Sequence, residues 1–299
     1  MYQKTRQKRI LPFLFPQSLL YILFIIIPLV LTVYYSFTNW YGLSMDFDFY
    51  GIGNFETVFK DPFFLNAVKN NLLFVFMGGI LMLIPAMLIT LALHEPIKGK
   101  SFFRFTILVP TVLAGSVVGL MWKWMYNPSF GLINPVLKAI GLGQFAIAWL
   151  GNEKTALAAI IIAMVWYKIG LWVILLTAGL ERIPPELLDA GKIDGANDWQ
   201  LFFRVTLPLM WETIRVVLIL WIVWGLQEFN IIFALTGPTV FTLGGPLGAT
   251  ELMTIYVFKT AFGTKKWAYS MAIATVVLVV ILLLSIISNR LTRKETIEY

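Results

Sequence analysis

Asn71–Leu93 reads NLLFVFMGGILMLIPAMLITLAL, 23 residues without one charged side chain. A bilayer core of roughly 30 Å takes about 20 apolar residues in a helix, because lipid offers no partner to a backbone N–H or C=O. This stretch is long enough to span, and it contains no ten-residue alternation of the kind a transmembrane barrel strand needs. Working outward, five further runs have the same character: Ile10–Phe37, Phe105–Met125, Thr155–Leu180, Val216–Leu235 and Trp267–Ser288. The fourth span in chain order carries one ion, Lys168, and the fifth one, Glu228; the third is short and holds Lys123 near its end. Composition agrees. The chain of 299 residues is 59% hydrophobic and 13% charged, with mean hydropathy +0.81. Soluble domains are nearer 45–50% apolar and about 25% charged. The expected fold class is all-α: a polytopic membrane protein with six transmembrane helices.

Six spans put both termini on one side of the membrane, and the distribution of basic residues selects the side. Lys4, Arg6, Lys8 and Arg9 precede span 1; Lys98, Lys100 and Arg104 follow span 2; Arg182, Lys192, Arg204 and Arg215 follow span 4; Arg290, Arg293 and Lys294 follow span 6. They outnumber Lys60, Lys69, Lys123, Lys138, Lys154, Lys259, Lys265 and Lys266 on the opposite side. Both termini are therefore expected in the cytoplasm. The organisation expected is a basic N-terminus over 1–9, a six-helix membrane domain over 10–289 and a cytoplasmic tail over 290–299. The first apolar run is too long for a signal peptide and lacks a small-residue cleavage site. The formal net charge of +7 reports this topology: basic clusters at span ends anchor the chain to lipid headgroups rather than to nucleic acid.

Several chemistries are excluded. There is no cysteine and a single histidine, His94, so zinc, haem and iron–sulfur sites lack ligands, and no catalytic or metal residue is assigned. Gly99-Lys100-Ser101 has the tail of a phosphate-binding loop, but His94 stands where its leading glycine belongs. Gly51-Ile52-Gly53 starts a dinucleotide fingerprint that fails at Glu56. The chain is not expected to be an enzyme or to hold a cofactor. Its work must be driven by a gradient or by a partner.

The segment Glu181–Glu212 is too polar to span and too apolar for a solvated linker. Ile183-Pro184-Pro185-Glu186 is a helix start, with proline in the first turn and an acid complementing the helix dipole. Leu187, Leu188 and Ala190 form a short apolar face. Gly195 interrupts, Asn197 or Asp198 can cap a second short helix through Trp199, Leu201, Phe202 and Phe203, and Leu207-Pro208 opens the next span. Acids outnumber bases around the first helix, which favours a protein partner over an interfacial helix on lipid.

These residues resemble the coupling-loop signature of binding-protein-dependent ABC importer permeases, which reads Glu-Ala-Ala, three residues, Gly, nine residues, Ile-x-Leu-Pro. Asp189, Ala190 and Gly191 stand at the first three positions, Gly195 at the glycine, and Val205, Leu207 and Pro208 at the close. Gly53-Asn54-Phe55, Phe59-Lys60-Asp61-Pro62, Phe130-Gly131-Leu132-Ile133-Asn134 and Gly244-Gly245-Pro246 are similar to the carbohydrate branch, the permease type of maltose, glycerol-3-phosphate and oligosaccharide importers. The Phe-Gly-Leu-Ile-Asn stretch resembles the maltose-permease-like member of the usual heterodimer. The resemblance implies a type I importer permease fold in a bacterial or archaeal plasma membrane. It also implies a second homologous permease, two cytoplasmic ATPases that hold the ATP, and an extracytoplasmic solute-binding protein that delivers a sugar. The coupling residues it implies are Glu186, Asp189, Ala190, Gly191, Gly195, Leu207 and Pro208.

Ions inside a membrane usually face a cavity, a pathway or each other. Helical spacing places Met164, Tyr167, Lys168 and Leu171 on one face of span 4, and Trp221, Gly225 and Glu228 on one face of span 5. Ungapped registration on the maltose permease puts the same seven residues on sugar-contacting positions. Two readings stand: Lys168 and Glu228 line the pathway, or they pair and brace the helices. Trp122, Trp124, Trp149 and Trp267 are expected in an interfacial belt. The rival from another class is a proton-coupled secondary transporter with Glu228 as proton carrier; it leaves the cytoplasmic loop unexplained.

Overall fold

The computed structural model describes residues 14–42, 46–237, 239 and 242–292. The basic residues Lys4, Arg6, Lys8 and Arg9, and Arg293 and Lys294 of the tail, lie outside the described residues. Among the described residues there is no β-strand, only an isolated bridge between Thr38 and Phe49. Among the described residues, four helices are long and apolar enough to cross a membrane. Two sharply bent helix pairs raise the number to as many as six if each pair is one span.

One compact unit comprises Met1–Asp61 and Val257–Val279. It contains α1 (Leu14–Tyr35) and α2 (Gly53–Lys60). No side chain of α1 is buried by the chain itself, so its apolar surface on all sides is left to lipid or another subunit. Past α1, Asn54 Nδ2 donates to the carbonyls of Ser36 and Thr38 at 2.9 and 2.8 Å. That asparagine is the middle residue of Gly53-Asn54-Phe55, and it pins α2 to the end of α1. Tyr269 donates its hydroxyl to Asp61 Oδ2 at 2.6 Å, and Trp40 and Trp267 pack together.

The second unit comprises Pro62–Tyr256 and Val280–Tyr299. Its helices begin with α3 (Pro62–His94), followed by α4 (Lys100–Val112) and α5 (Gly115–Met125), which meet at a bend of 99°. Next come α6 (Ile133–Ala139), α7 (Ala156–Leu180), α8 (Pro185–Ile193) and α9 (Asp198–Leu209). A 66° bend separates α9 from α10 (Trp211–Gln227), after which α11 (Asn230–Thr236) and α12 (Met253–Phe258) follow. The last described helix, α13 (Trp267–Thr292), belongs to the first unit as far as Val279 and to the second from Val280. The centre of the second unit is α7, with α3, α4 and α10 packed around it; Trp172, Ile160, Ile161, Met164 and Leu176 are fully buried.

Close helix approach is built from small residues. Trp221 of α10 lies flat on Gly78-Gly79, the glycine pair inside the opening apolar stretch, where a Cβ on Gly78 would fall 2.5 Å from the indole. Its Nε1 donates to Val75 O at 2.7 Å. Gly170 of α7 admits the backbone of Ile107 and Leu108 of α4. Gly119 of α5 admits α11, with Ala234 Cβ only 2.5 Å from where its own Cβ would be. These are the short contacts that let apolar helices associate where hydrophobic burial gives little drive.

Three expectations are corrected. The second span starts at Pro62, not Asn71, because Asn70 and Asn71 are buried with their amides bonded inside the protein. The third and fifth spans are not continuous helices. The third breaks at Leu113 and Ala114, both in extended backbone, and the fifth, expected over Val216–Leu235, breaks at Glu228. Trp122 is not a belt residue: it is 7% exposed and packs edge-on to Trp166.

Candidate functional site: two helix breaks and a polar loop

A broken helix exposes carbonyls and N–H groups that lipid cannot satisfy, so each break must be answered by a neighbour. At the first, Val117 and Val118 both donate to Ala114 O, which leaves Leu113 O without its helical donor. The Tyr167 hydroxyl of α7 donates to Leu113 O at 2.9 Å, and Thr111 Oγ1 donates in return to Tyr167 O at 3.0 Å. At the second, Glu228 has ψ 129° and ends α10. Its carboxylate accepts from the Ile231 N–H at 3.0 Å and so caps α11, while Thr254 Oγ1 donates to Glu228 O. Asn71 Nδ2 donates to Gly225 O at 2.9 Å.

The two breaks are neighbours. A Cβ built on Gly115 would stand 3.5 Å from Asn230 Cβ and 3.9 Å from the Tyr167 hydroxyl. Lys168 lies beside this junction, its ammonium 4.2 Å from the Tyr167 ring centroid and 5.0 Å from that of Trp224. Two aromatic faces thus stabilise the cation. Lys168 and Glu228 are not within ion-pair distance of one another, unlike Arg104–Glu181 and Arg215–Glu212. Bracing by a direct pair therefore does not describe this arrangement.

The seven sequence-predicted residues divide. Tyr167, Lys168 and Glu228 converge on the junction, and Leu171 is half-buried one turn further along α7. Met164 is fully buried, Trp221 is 2% exposed, and Gly225 holds its place against Val75 and Phe74 of α3. These three pack helices together. Glu228 is also off the helical face assigned to it, since the helix ends there. Sequence reasoning missed Trp224, Leu113 and Asn230. Trp224 had a signal: it lies four residues before Glu228, on the face of α10 that Lys168 approaches.

On the loop between α7 and α10 the local reading of helix starts and caps holds. Pro184 precedes α8, and Asn197 caps α9 with a reciprocal pair: Asn197 Oδ1 accepts from Gln200 N and Gln200 Oε1 from Asn197 N, both at 2.9 Å. Gly195 joins the helices at φ +82°, a left-handed backbone that favours glycine, and nothing lies within 4 Å of its would-be Cβ. Gly191 is required differently. A Cβ there would meet Leu201 Cδ2 at 2.5 Å, so this glycine seats α8 on α9. Glu186, Asp189, Ala190, Gly195 and Pro208 are exposed. Leu207 and Pro208 occupy the last turn of α9, before the 66° bend that leads into α10. Beside the acids, Ile193 is 86% exposed, and Trp199 and Phe203 stack at 5.7 Å while facing solvent. Exposed aromatic and aliphatic groups together on a polar loop suit a protein interface.

Comparison with known proteins identifies the family. A permease protein of Bacillus subtilis, described as the probable ABC transporter permease YurN, is 34% identical over 289 residues, covering 96% of this chain and 97% of the relative. The multiple sugar-binding transport system permease MsmF of Streptococcus mutans is 34% identical, covering 94% of each. A bacterial ABC transporter that imports the acidic polysaccharide alginate superposes with a TM-score of 0.81 at 22% identity, covering 99% of this chain and 98% of that one; this likeness bears on the fold. Residues 100–296 match the family described as the binding-protein-dependent transport system inner membrane component. The chain belongs to that family of ABC importer permeases.

Proposed function

We propose that this protein is the translocating subunit of a sugar importer, with six spans and both termini in the cytoplasm of a bacterial or archaeal cell. It pairs with a second, homologous permease and docks two ATPases on α8 and α9. It receives sugar of the oligosaccharide, polyol or sugar-phosphate class from an extracytoplasmic binding protein. The curated relatives support the cargo class: MsmF carries multiple sugars in its name, and NgcF of Streptomyces coelicolor, 32% identical over 91% of this chain and 80% of its own, is a diacetylchitobiose uptake permease. A second solved structure, of a bacterial alginate ABC transporter, is in complex with a periplasmic protein that carries an alginate pentasaccharide. ATP belongs to the partner subunits, and this chain supplies no catalytic group.

The observation that carries the pathway is the meeting of two helix breaks at Tyr167, Lys168 and Glu228. Broken helices at membrane depth are tolerated where the backbone is buried in protein or lines a cavity, and transporters place their substrates at such points. ATP-driven closure of the ATPases pushes α8 and α9, and the 66° bend at Met210 passes that displacement to α10. The half-helices α5 and α11, packed on each other through Gly119, then move as one body about the breaks. The rival reading, proton carriage by Glu228, leaves α8 and α9 without a role and needs a carboxylate that already caps α11 to change state in each cycle.

Uptake into proteoliposomes of the assembled importer tests the proposal. Radiolabelled sugar should enter only with ATP on the ATPase side, and an imposed proton gradient should not replace ATP. Gradient-driven uptake without ATP would overturn the importer reading. Lys168→Leu with Glu228→Leu tests the pathway: a double variant that assembles and transports with unchanged sugar preference would remove both from it.

A further inference from the structure

From Tyr126 to Asn152, between the end of α5 and the start of α7, the chain holds a single charged residue, Lys138. Its apolar side chains are nevertheless not packed away. Phe130 and Ile140 are 71% and 63% exposed, and Leu132, Val136 and Phe145 are exposed with them. Leu132, Val136 and Ile140 recur every four residues along α6 and so share one face, while Asn134 is buried on the other. An exposed apolar surface of this kind marks a face that something covers.

The segment is fastened at the level of the span ends. Gly131 sits directly on the end of α5: a Cβ there would fall 2.4 Å from Met125 O, and its N–H donates to Asn127 O at 2.9 Å. The other end is tied to the start of α7, where Thr155 Oγ1 donates to Trp149 O and the Tyr126 hydroxyl to Ala159 O, both at 2.9 Å. Asn134 closes the hairpin, its Nδ2 donating to Ile147 O at 3.0 Å and its Oδ1 accepting from Trp149 Nε1 at 2.9 Å. The Phe-Gly-Leu-Ile-Asn stretch thus has a local role: its glycine seats the segment on α5 and its asparagine folds it back. With Ile133 only two residues past Gly131, the seven residues of α6 extend roughly 10 Å. The polar layer flanking the hydrocarbon core is about 5–7 Å deep on each side. The hairpin therefore stays at the level of that layer.

The neighbouring surface has the chemistry of a lipid contact. On α5, Val117, Leu120 and Trp124 form an exposed stripe, and Trp124 stands in the last turn, an indole of the kind that gathers at headgroup depth. Lys138 is exposed and the segment has no acid, so its cation is matched by lipid phosphate. An apolar face, one cation and a tryptophan at the span end suit a short helix lying in the interface.

We propose that Phe130–Phe145 is an interfacial foot, with the Leu132, Val136 and Ile140 face of α6 turned into lipid. On the orientation proposed above it lies in the extracytoplasmic leaflet, where it fixes the depth of the outer end of α5. The inference rests on the membrane spans of the importer reading and not on its cargo.

The chain has no cysteine of its own, so single variants Val136→Cys, Ile140→Cys and Glu153→Cys each take one environment-sensitive fluorophore, with labelling of the parent importer subtracted. The assembled importer is placed in phosphatidylcholine nanodiscs. Two quenchers are compared: aqueous iodide, and phosphatidylcholine carrying a nitroxide near the carbonyl end of its acyl chain. The probes at 136 and 140 should be quenched by the nitroxide lipid several-fold more than the probe at 153, and by iodide several-fold less. Quenching by iodide equal to that of the 153 probe would put the face in water and overturn the proposal. Protection from both quenchers would mean that a protein subunit covers the face, and would overturn it as well. So would iodide quenching that disappears only when the solute-binding protein is added, because the face would then be a docking surface for that partner. ATP-dependent uptake by the same labelled variants shows that they assemble, and it is read separately, so a failed foot leaves the importer reading standing.

Discussion

Replacing Tyr167 by phenylalanine removes one oxygen and nothing else, and the structure says what that oxygen holds. In an unbroken helix Leu113 O would accept from Val117, but Val117 and Val118 both donate to Ala114 O. The Tyr167 hydroxyl is the donor at Leu113 O, and Tyr167 is only 7% exposed. Leaving this carbonyl unsatisfied within a membrane span, where lipid offers no donor, costs about 1–3 kcal/mol, more than the net worth of an ordinary hydrogen bond. At about 1.4 kcal/mol per tenfold change, the first break should lose its set geometry by roughly five- to 150-fold in equilibrium terms. The expected phenotype is a lower thermal midpoint of the assembled importer in detergent, together with slowed uptake and unchanged co-purification of the ATPases. Thr106→Val serves as the comparison. It also deletes a hydroxyl, but that group donates at 2.9 Å to Phe102 O within the same helix, on an exposed face, where the carbonyl keeps its backbone partner. Its midpoint and uptake should match the wild type. If Tyr167→Phe and Thr106→Val behave alike, Tyr167 does not hold the break, and the account of the junction fails.

Glu228→Gln keeps an oxygen for the Ile231 N–H, whereas Glu228→Leu does not, so only the leucine variant should lose cap stability, by about 0.5–2 kcal/mol; equal thermal midpoints in the two would remove the cap from the explanation. Gly119→Ala brings a methyl to 2.5 Å from Ala234 Cβ and should destabilise by roughly 1–3 kcal/mol, as overpacking does. Adding Ala234→Gly should recover only part of that loss, because Ile231 O stays 2.9 Å from the new methyl; an unfolding midpoint unchanged by Gly119→Ala alone would mean that α5 and α11 do not pack as described. Gly195→Val forces a branched side chain into a left-handed backbone, and Asp189→Lys reverses an exposed charge on α8. Both variants should insert in the membrane yet lose their ATPases on purification in mild detergent, and full ATPase retention with normal stimulated hydrolysis would free this loop from coupling.

The sequence by itself determined the solvent. Uncharged runs such as Asn71–Leu93 have one low-energy home, and the backbone's need for internal hydrogen bonds makes them helices whatever they pack against. It also determined the loop between α7 and α10, because caps, proline starts and the left-handed glycine at 195 are local chemistry between residues a few positions apart. Only the tertiary structure decided where helices stop inside the membrane. Nothing in Ile107–Val118 requires a break at Leu113; it is made affordable by Tyr167, 54 positions further along the chain. Likewise Glu228 reads as an ion on a helical face until Asn71, 154 positions from Gly225, satisfies the end of α10 and lets the chain turn. The glycine pair Gly78-Gly79 looks like a weakness in an apolar helix, but it is the seat of Trp221. Helical periodicity assumes that every carbonyl finds its donor four residues on, and at both breaks the donor comes from another helix.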